Sequence, residues 1–170
     1  MRLVALRMLA NIIQKTNEVK MKYSKGRKFY IIISALLVIA VAFIIFYLSG
    51  QTATESSKTS DSLIDMIADF LGLSFSENFI RTLAHFCEYA LFGFLAFNLY
   101  FAIKDKPKPL LSILLSIGYA VTDEIHQLFV PGRAFQLTDL AVDTAGIILG
   151  AAIFFVFYTI INNIKNKQTL

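Results

Sequence analysis

The sequence predicts an all-α polytopic membrane protein with four transmembrane helices and a short amphipathic helix in the first outer loop. Three observations lead to this fold class. Of the 170 residues, 56% are hydrophobic and 16% are charged, whereas soluble domains contain about 25% charged residues. Four apolar stretches are each long enough to cross a bilayer, and Lys and Arg alternate in number between the connecting segments. Lipid is therefore the expected solvent for most side chains.

The four apolar stretches cover residues 29–48, about 84–103, 110–130 and 137–161. At a rise of 1.5 Å per residue, roughly 20 residues cross a hydrocarbon core of about 30 Å. The first stretch contains no charged residue, and the other three contain a few polar ones. Residues 29–161 form the predicted membrane domain, between a basic N-terminal segment (1–28) and a short tail (162–170).

The distribution of Lys and Arg predicts that both termini are cytoplasmic. The N-terminal segment is strongly basic, with Glu18 as its single acid, and the turn at residues 104–108 has three lysines. The segment at residues 49–83 has two basic residues among five acids, and the connection before the fourth stretch has Arg133 alone. A basic run beside a membrane span indicates contact with anionic lipid rather than with nucleic acid.

The N-terminal segment allows two interpretations. The first apolar stretch is longer than a signal-peptide core and no A-x-A site follows it, so a retained anchor is expected. Residues 1–20 either form a short basic helix on the inner membrane surface or precede a true start at Met21.

The first outer loop contains two different patterns. Residues 49–57 are polar without a helical period, which predicts irregular structure. From Ser60 to Gly72, acids at Asp61, Asp65 and Asp69 lie opposite apolar residues. This pattern predicts an amphipathic helix on the outer surface, with Ser60 as its N-cap and Gly72 as its end.

Polar residues of the last three spans are predicted to meet at one depth. Given the span directions, each cluster lies near the non-cytoplasmic end of its helix. Because a charge at the centre of a span costs about 2.5–3.5 kcal/mol, these groups should face one another or water. The sequence therefore predicts an outward-facing polar pocket. Its candidate residues are His85, Glu88, Asp123, Glu124, His126, Gln127, Arg133, Asp139 and Asp143.

Helical spacing places each polar set on one face. His85 and Glu88 are three residues apart, Asp123 shares a face with His126 and Gln127, and Asp139 is four residues before Asp143. Continuing the last face, Gly146 and Gly150 form a small-xxx-small pattern, which either lets a neighbouring helix approach closely or is merely tolerated in the span.

Three interpretations of the pocket stay open. In the first, Arg133, Glu124, Asp139 and His85 form a structural network of paired charges in a membrane subunit that has no ligand. In the second, the pocket binds a lipid or cell-wall head group, with Arg133 available to a phosphate or carboxylate. In the third, the protein is a hydrolase or transferase acting on a lipid-linked head group. Its metal ligands or acid and base would come from His85, Glu88, Glu124, His126 and Asp139.

Catalytic residues and cofactors stay unassigned. The histidines and acids match no zinc signature, so no metal ligands are assigned, and the chain has neither a nucleophile elbow nor a Gly-rich phosphate loop. Cys87 is the single cysteine, which excludes an internal disulfide and favours a packing role.

Residues 84–93, 123–133 and 139–146 resemble, in order and spacing, the VanZ-like family of bacterial membrane proteins. The resemblance covers about residues 29–161 and implies a place in the bacterial plasma membrane, a cell-envelope ligand such as a cell-wall precursor, and a link to glycopeptide (teicoplanin) resistance. It leaves open whether the protein is an enzyme. The matched motif residues are His85, Glu88, Asp123, Glu124, Gln127, Arg133 and Asp139.

The chain departs from the family pattern at two positions. Thr82, with Arg81 beside it, stands where relatives commonly have Lys or Arg. Asp143 stands where they commonly have Asn, which adds an acid that needs a compensating proton or cation.

Overall fold

In the computed structural model, the described part of the chain is helical and contains no strand. It comprises residues 25–72, 75–104 and 109–168, together with Arg7 and Ile13. Within the described residues from 25 to 168, five helices follow one another: α1 (Lys25–Ser49), α2 (Ala53–Leu71), α3 (Glu77–Lys104), α4 (Pro109–Gln127) and α5 (Leu137–Gln168). The predicted basic helix in residues 1–20, apart from Arg7 and Ile13, lies outside the described residues, as do Met21 and residues 105–108.

Three of these helices are long and apolar enough to cross a membrane, namely α1, α3 and α5. They correspond to the first, second and fourth predicted spans, although α3 already begins at Glu77 and α5 continues to Gln168. Large apolar side chains on their surfaces are exposed, for example Phe43 at 68% and Phe157 at 57%. Such surfaces suit lipid. Helix α4 occupies the third predicted span but ends at Gln127, and its crossing of the membrane stays a prediction.

Helix α2 begins seven residues before the predicted N-cap Ser60, so the prediction of irregular structure for residues 53–57 was wrong. Thr52 is the N-cap, and its backbone N–H donates to Glu55 Oε2 at 2.9 Å while the N–H of Glu55 donates to Thr52 Oγ1 at 3.4 Å. This capping box satisfies two N–H groups that a helix start leaves free. The hydrogen bond from the Thr52 N–H lowers the pKa of Glu55 below its usual value. The predicted end at Gly72 is confirmed, with a left-handed φ of 66°.

Helices α3 and α5 pack with their backbones close together because glycines lie at the contact. A Cβ atom on Gly146 would lie 2.5 Å from the Phe86 carbonyl oxygen, and one on Gly93 would lie 2.5 Å from the Ile147 carbonyl oxygen. A Cβ on Gly150 would also overlap the backbone of α3. The close approach predicted from Gly146 and Gly150 is therefore confirmed.

Helices α1 and α4 pack against this pair around an apolar core. The Tyr119 hydroxyl of α4 donates to the Ala42 carbonyl of α1 at 2.6 Å. The core consists of Ile45, Tyr89, Phe92, Ala120 and Ile147. This packing brings the last turns of α1 and α4 beside the first turns of α3 and α5. We call this end of the bundle the cavity end.

Candidate functional site

A cavity of about 130 Å³ lies at the cavity end, between α1, α2, α3, α4 and the loop that follows α4. Serine and threonine hydroxyls of α1 and α2 form part of its wall. Its ionisable lining residues come from α3, α4 and the loop: Arg81, His85, Glu88, Asp123 and Arg133. Four of the nine residues predicted for the pocket therefore line one cavity.

Asp123 is the most unusual residue of the cavity wall. Its side chain is only 2% exposed, and neither carboxylate oxygen has a hydrogen-bond partner. The hydroxyls of Ser49 and Tyr89 face it without forming a hydrogen bond of good geometry. Buried polar groups in native structures are nearly always paired. Asp123 therefore has an unused capacity to accept hydrogen bonds or to pair with a cation.

His85 contacts a second buried acid that lies behind the cavity wall. Its Nδ1 is 3.4 Å from Oδ1 of Asp143, which is fully buried and does not line the cavity. The contact is within ion-pair distance but is not a well-oriented hydrogen bond. Because Asp143 occupies the Nδ1 side of the ring, Nε2 is the nitrogen available to a ligand.

A tight turn positions Arg133. In residues 130–133 the Arg133 N–H donates to the Val130 carbonyl at 3.1 Å, and Gly132 has a φ of 78°. Pro at the second position and Gly with positive φ at the third are the features of a type II turn. Arg133 Nη1 then donates to Ser56 Oγ of α2 at 3.2 Å.

The two arginines of the cavity are close enough to influence each other. Burial lowers the pKa of Arg133 below its usual value, and the charge of Arg81 acts in the same direction. Among the described residues, neither arginine forms an ion pair with a carboxylate, since the pair of His85 and Asp143 is the one found there. The predicted network of paired charges around Arg133 is therefore not seen in this part of the chain.

Three further predicted residues lie near the cavity without lining it. Glu124 is fully buried, and its Oε2 accepts the backbone N–H of Gln136 at 2.9 Å, just before α5 begins. Gln127 is also fully buried, and neither polar atom of its side-chain amide has a partner. Asp139 is partly exposed, and its charge acts on Glu124 and Arg133.

His126 lines a different cavity from Asp123, although the two were expected to share one face. Its ring stacks on Phe46 of α1, with centroids 4.1 Å apart. It lines a separate cavity of about 470 Å³ together with Gln51 and Glu55. Because residues three apart differ by about 60° around the helix axis, His126 projects from α4 in a different direction from Asp123. In that direction its ring meets Phe46 of α1.

Sequence reasoning missed several lining residues, namely Ser49, Ser56, Ser60 and Arg81. The spacing of Ser56 and Ser60 places both on one face of α2. That signal was hidden because the helix was predicted to begin only at Ser60. The capping pattern Thr52-x-x-Glu55 would have revealed the longer helix.

A family model described as VanZ/LLP1 matches residues 31–158. The protein belongs to the VanZ-like family. The matched region runs from α1 into α5 and includes every residue that lines the cavity. Comparison with curated proteins and with solved structures gave no match.

Family membership and the apolar helices together identify this VanZ-like protein as a membrane protein. Within the described ranges, no three His, Cys, Asp or Glu side chains are grouped so that they could hold a metal ion.

Proposed function

We propose that this VanZ-like protein binds a component of the cell envelope in its cavity and thereby affects susceptibility to teicoplanin. In this proposal α4 is a fourth span, and α2 is an amphipathic helix on the outer surface. The cavity opens on the non-cytoplasmic face of the bacterial plasma membrane, and both termini are cytoplasmic. The Lys and Arg counts of the connecting segments support this orientation.

The observation that carries the proposal is the unpartnered carboxylate of Asp123, which is 2% exposed and lines the cavity. A buried acceptor without a partner costs about 1–3 kcal/mol. Asp143 and Gln127 are also buried without hydrogen-bond partners, but Asp123 alone of the three lines the cavity, where a ligand can supply the missing donors. Arg133 supports the same interpretation, because it contacts Ser56 rather than a carboxylate.

The second candidate function is hydrolysis or group transfer on a lipid-linked head group, and the contact of His85 with Asp143 favours it. Asp143 would hold the imidazole, and Nε2 would act as the acid or base at the cavity. In that case Asp143→Asn should slow turnover while leaving ligand binding within about twofold, since the change keeps the shape of the side chain. If the Asp143→Asn variant binds the ligand as well as the wild type and its turnover is not slower, the catalytic candidate is contradicted.

The experiment that tests the binding proposal compares cavity variants with charge-matched surface variants in a bacterial host. Asp123→Asn and Arg133→Gln change the cavity, whereas Asp61→Asn and Lys58→Gln remove the same charges from exposed positions of α2. Teicoplanin susceptibility and membrane abundance are measured for each. We expect the cavity variants to lose the effect on susceptibility at normal abundance while the surface variants keep it.

A structural membrane subunit without a ligand is the third candidate. It would be favoured if the cavity variants changed susceptibility only in proportion to a loss of membrane abundance.

A further inference from the structure

We propose that the cavity recognises a zwitterionic head group, with a phosphate at Arg81 and Arg133 and a primary ammonium at Glu88 and Asp123. The inference rests on the proposed function, because it assigns the ligand class of the same cavity.

The phosphate end is argued from the two arginines. Both line the cavity, they lie near enough for Arg81 to lower the pKa of Arg133, and neither is paired with a described carboxylate. Two neighbouring guanidinium groups repel each other unless an anion lies between them. The hydrogen bond to Ser56 uses one N–H of Arg133. A guanidinium has five such donors, and their planar fork fits phosphate oxygens.

The ammonium end is argued from the acids deeper in the cavity. Glu88 and Asp123 both line it, and both oxygens of Asp123 lack a partner. The nearby imidazole of His85 is directed to Asp143 through Nδ1. Acids therefore outnumber cations at this depth. A primary ammonium brings one positive charge and three N–H donors, which is what these carboxylates lack.

The order of charges along α3 fixes how the ligand lies. Arg81 precedes Glu88 by seven residues, so the two levels are separated by about 10 Å along the helix axis. Arg133, in the loop after α4, is near Arg81 in the cavity wall, whereas Asp123 lies one turn before the end of α4. A ligand therefore enters with its ammonium group first and leaves its phosphate near the mouth.

The size of the cavity limits how much of a ligand it can enclose. Its volume of about 130 Å³ is below the roughly 300–1,000 Å³ of pockets that enclose drug-sized ligands. A short phospho-ammonium group fits this volume, whereas a whole glycopeptide does not. The polar hydroxyls of α1 and α2 in the wall suit the phosphate ester oxygens.

The test measures binding of soluble head groups to the purified full-length protein by isothermal titration calorimetry. The probes are O-phosphoethanolamine, phosphocholine and inorganic phosphate. Phosphocholine is the matched comparison, because its quaternary ammonium has the same charge but no N–H donor. We expect O-phosphoethanolamine to bind at least about tenfold more tightly than either of the others, which corresponds to about 1.4 kcal/mol.

Variants assign the two ends of the ligand. Arg133→Gln and Asp123→Asn should each weaken O-phosphoethanolamine binding at least about tenfold, and Lys58→Gln and Asp61→Asn should change it by less than about twofold. Circular dichroism and thermal unfolding report whether each variant is folded. Should Arg133→Gln fail to fold, Arg81→Gln and Ser56→Ala test the phosphate end in its place, because Arg81 lines the cavity and Ser56 holds Arg133.

A lipid source is separated from a free one by reconstitution into nanodiscs. Protein from discs of phosphatidylethanolamine should retain that lipid in native mass spectrometry and bind the free probe more weakly than protein from phosphatidylcholine discs. If the free head group is the natural ligand, the probe binds equally in both discs.

Three results would overturn the head-group assignment. These are equal binding of phosphocholine and O-phosphoethanolamine, equal binding of inorganic phosphate, and binding that Asp123→Asn leaves unchanged. If none of the probes binds but susceptibility still depends on Asp123 and Arg133, the head-group assignment fails and the proposed function stands. If susceptibility is also independent of both residues, the two fail together.

Discussion

Asp123→Asn should make the protein more stable while it destroys the binding site. The carboxylate is 2% exposed and both its oxygens lack a hydrogen-bond partner. A buried unsatisfied acceptor costs the folded state about 1–3 kcal/mol, and more when it is charged. The amide has nearly the same shape without the charge, so we expect the free energy of unfolding to rise by about 1–3 kcal/mol. For a chain of this length, that corresponds to a rise of about 2–12 °C in Tm.

The measurement is thermal unfolding of wild-type and variant protein in the same nanodiscs, without added ligand. Asp61→Asn is the matched control, because it makes the same chemical change at an exposed position of α2. Its effect should stay within about 0.5 kcal/mol. Addition of O-phosphoethanolamine should raise the Tm of the wild type and of the control more than that of Asp123→Asn at the same concentration.

A lower Tm for Asp123→Asn would refute this reasoning. It would mean that the carboxylate is paired in the folded protein and contributes to its stability, as the structural interpretation of the polar cluster requires. Loss of a buried partner of that kind costs about 3–5 kcal/mol, so the two interpretations differ in sign and the assay separates them.

Three other predictions concern the helices that hold the cavity. Gly150→Ala should lower the stability by about 1–3 kcal/mol because its Cβ would overlap α3. Gly118→Ala, which has open space around it, should be neutral or stabilising by up to about 1 kcal/mol in the same thermal assay. Equal effects of the two would contradict the close α3–α5 contact. Because the pKa of Glu55 is lowered, the stability that its carboxylate gives to the start of α2 is fully present at pH values above its usual pKa of 4.5. That contribution disappears as the pH falls through the lower folded-state value. Protection of the amides in the first turn of α2 from hydrogen exchange should therefore fall over this pH range in the wild type but not in Glu55→Gln. Tyr119→Phe removes the hydrogen bond to the Ala42 carbonyl and should cost about 0.5–1.5 kcal/mol in thermal unfolding; an unchanged Tm would show that this bond does not hold α4 to α1.

The sequence by itself determined the helical fold class, the three long apolar helices and the family. These features depend on local composition, because a segment that crosses lipid must be apolar over about 20 residues and must satisfy its own backbone hydrogen bonds. It also suggested the close contact at Gly146 and Gly150, because small residues spaced four apart lie on one helix face, but the structure was needed to show that α3 packs there. The family motif could also be recognised from the sequence, because the order and spacing of its residues are visible without knowledge of how the helices pack.

Tertiary structure alone decided which polar residues line the cavity. The direction of the Arg133 side chain depends on its hydrogen bond to Ser56, which is 77 positions away in the chain. The surroundings of His126 depend on Phe46 of α1, on which its ring stacks. The contact of His85 with Asp143 likewise joins two helices whose relative rotation no spacing rule supplies. Periodicity places a residue on a face of its own helix, but the neighbour that meets that face is set by the packing of the whole bundle.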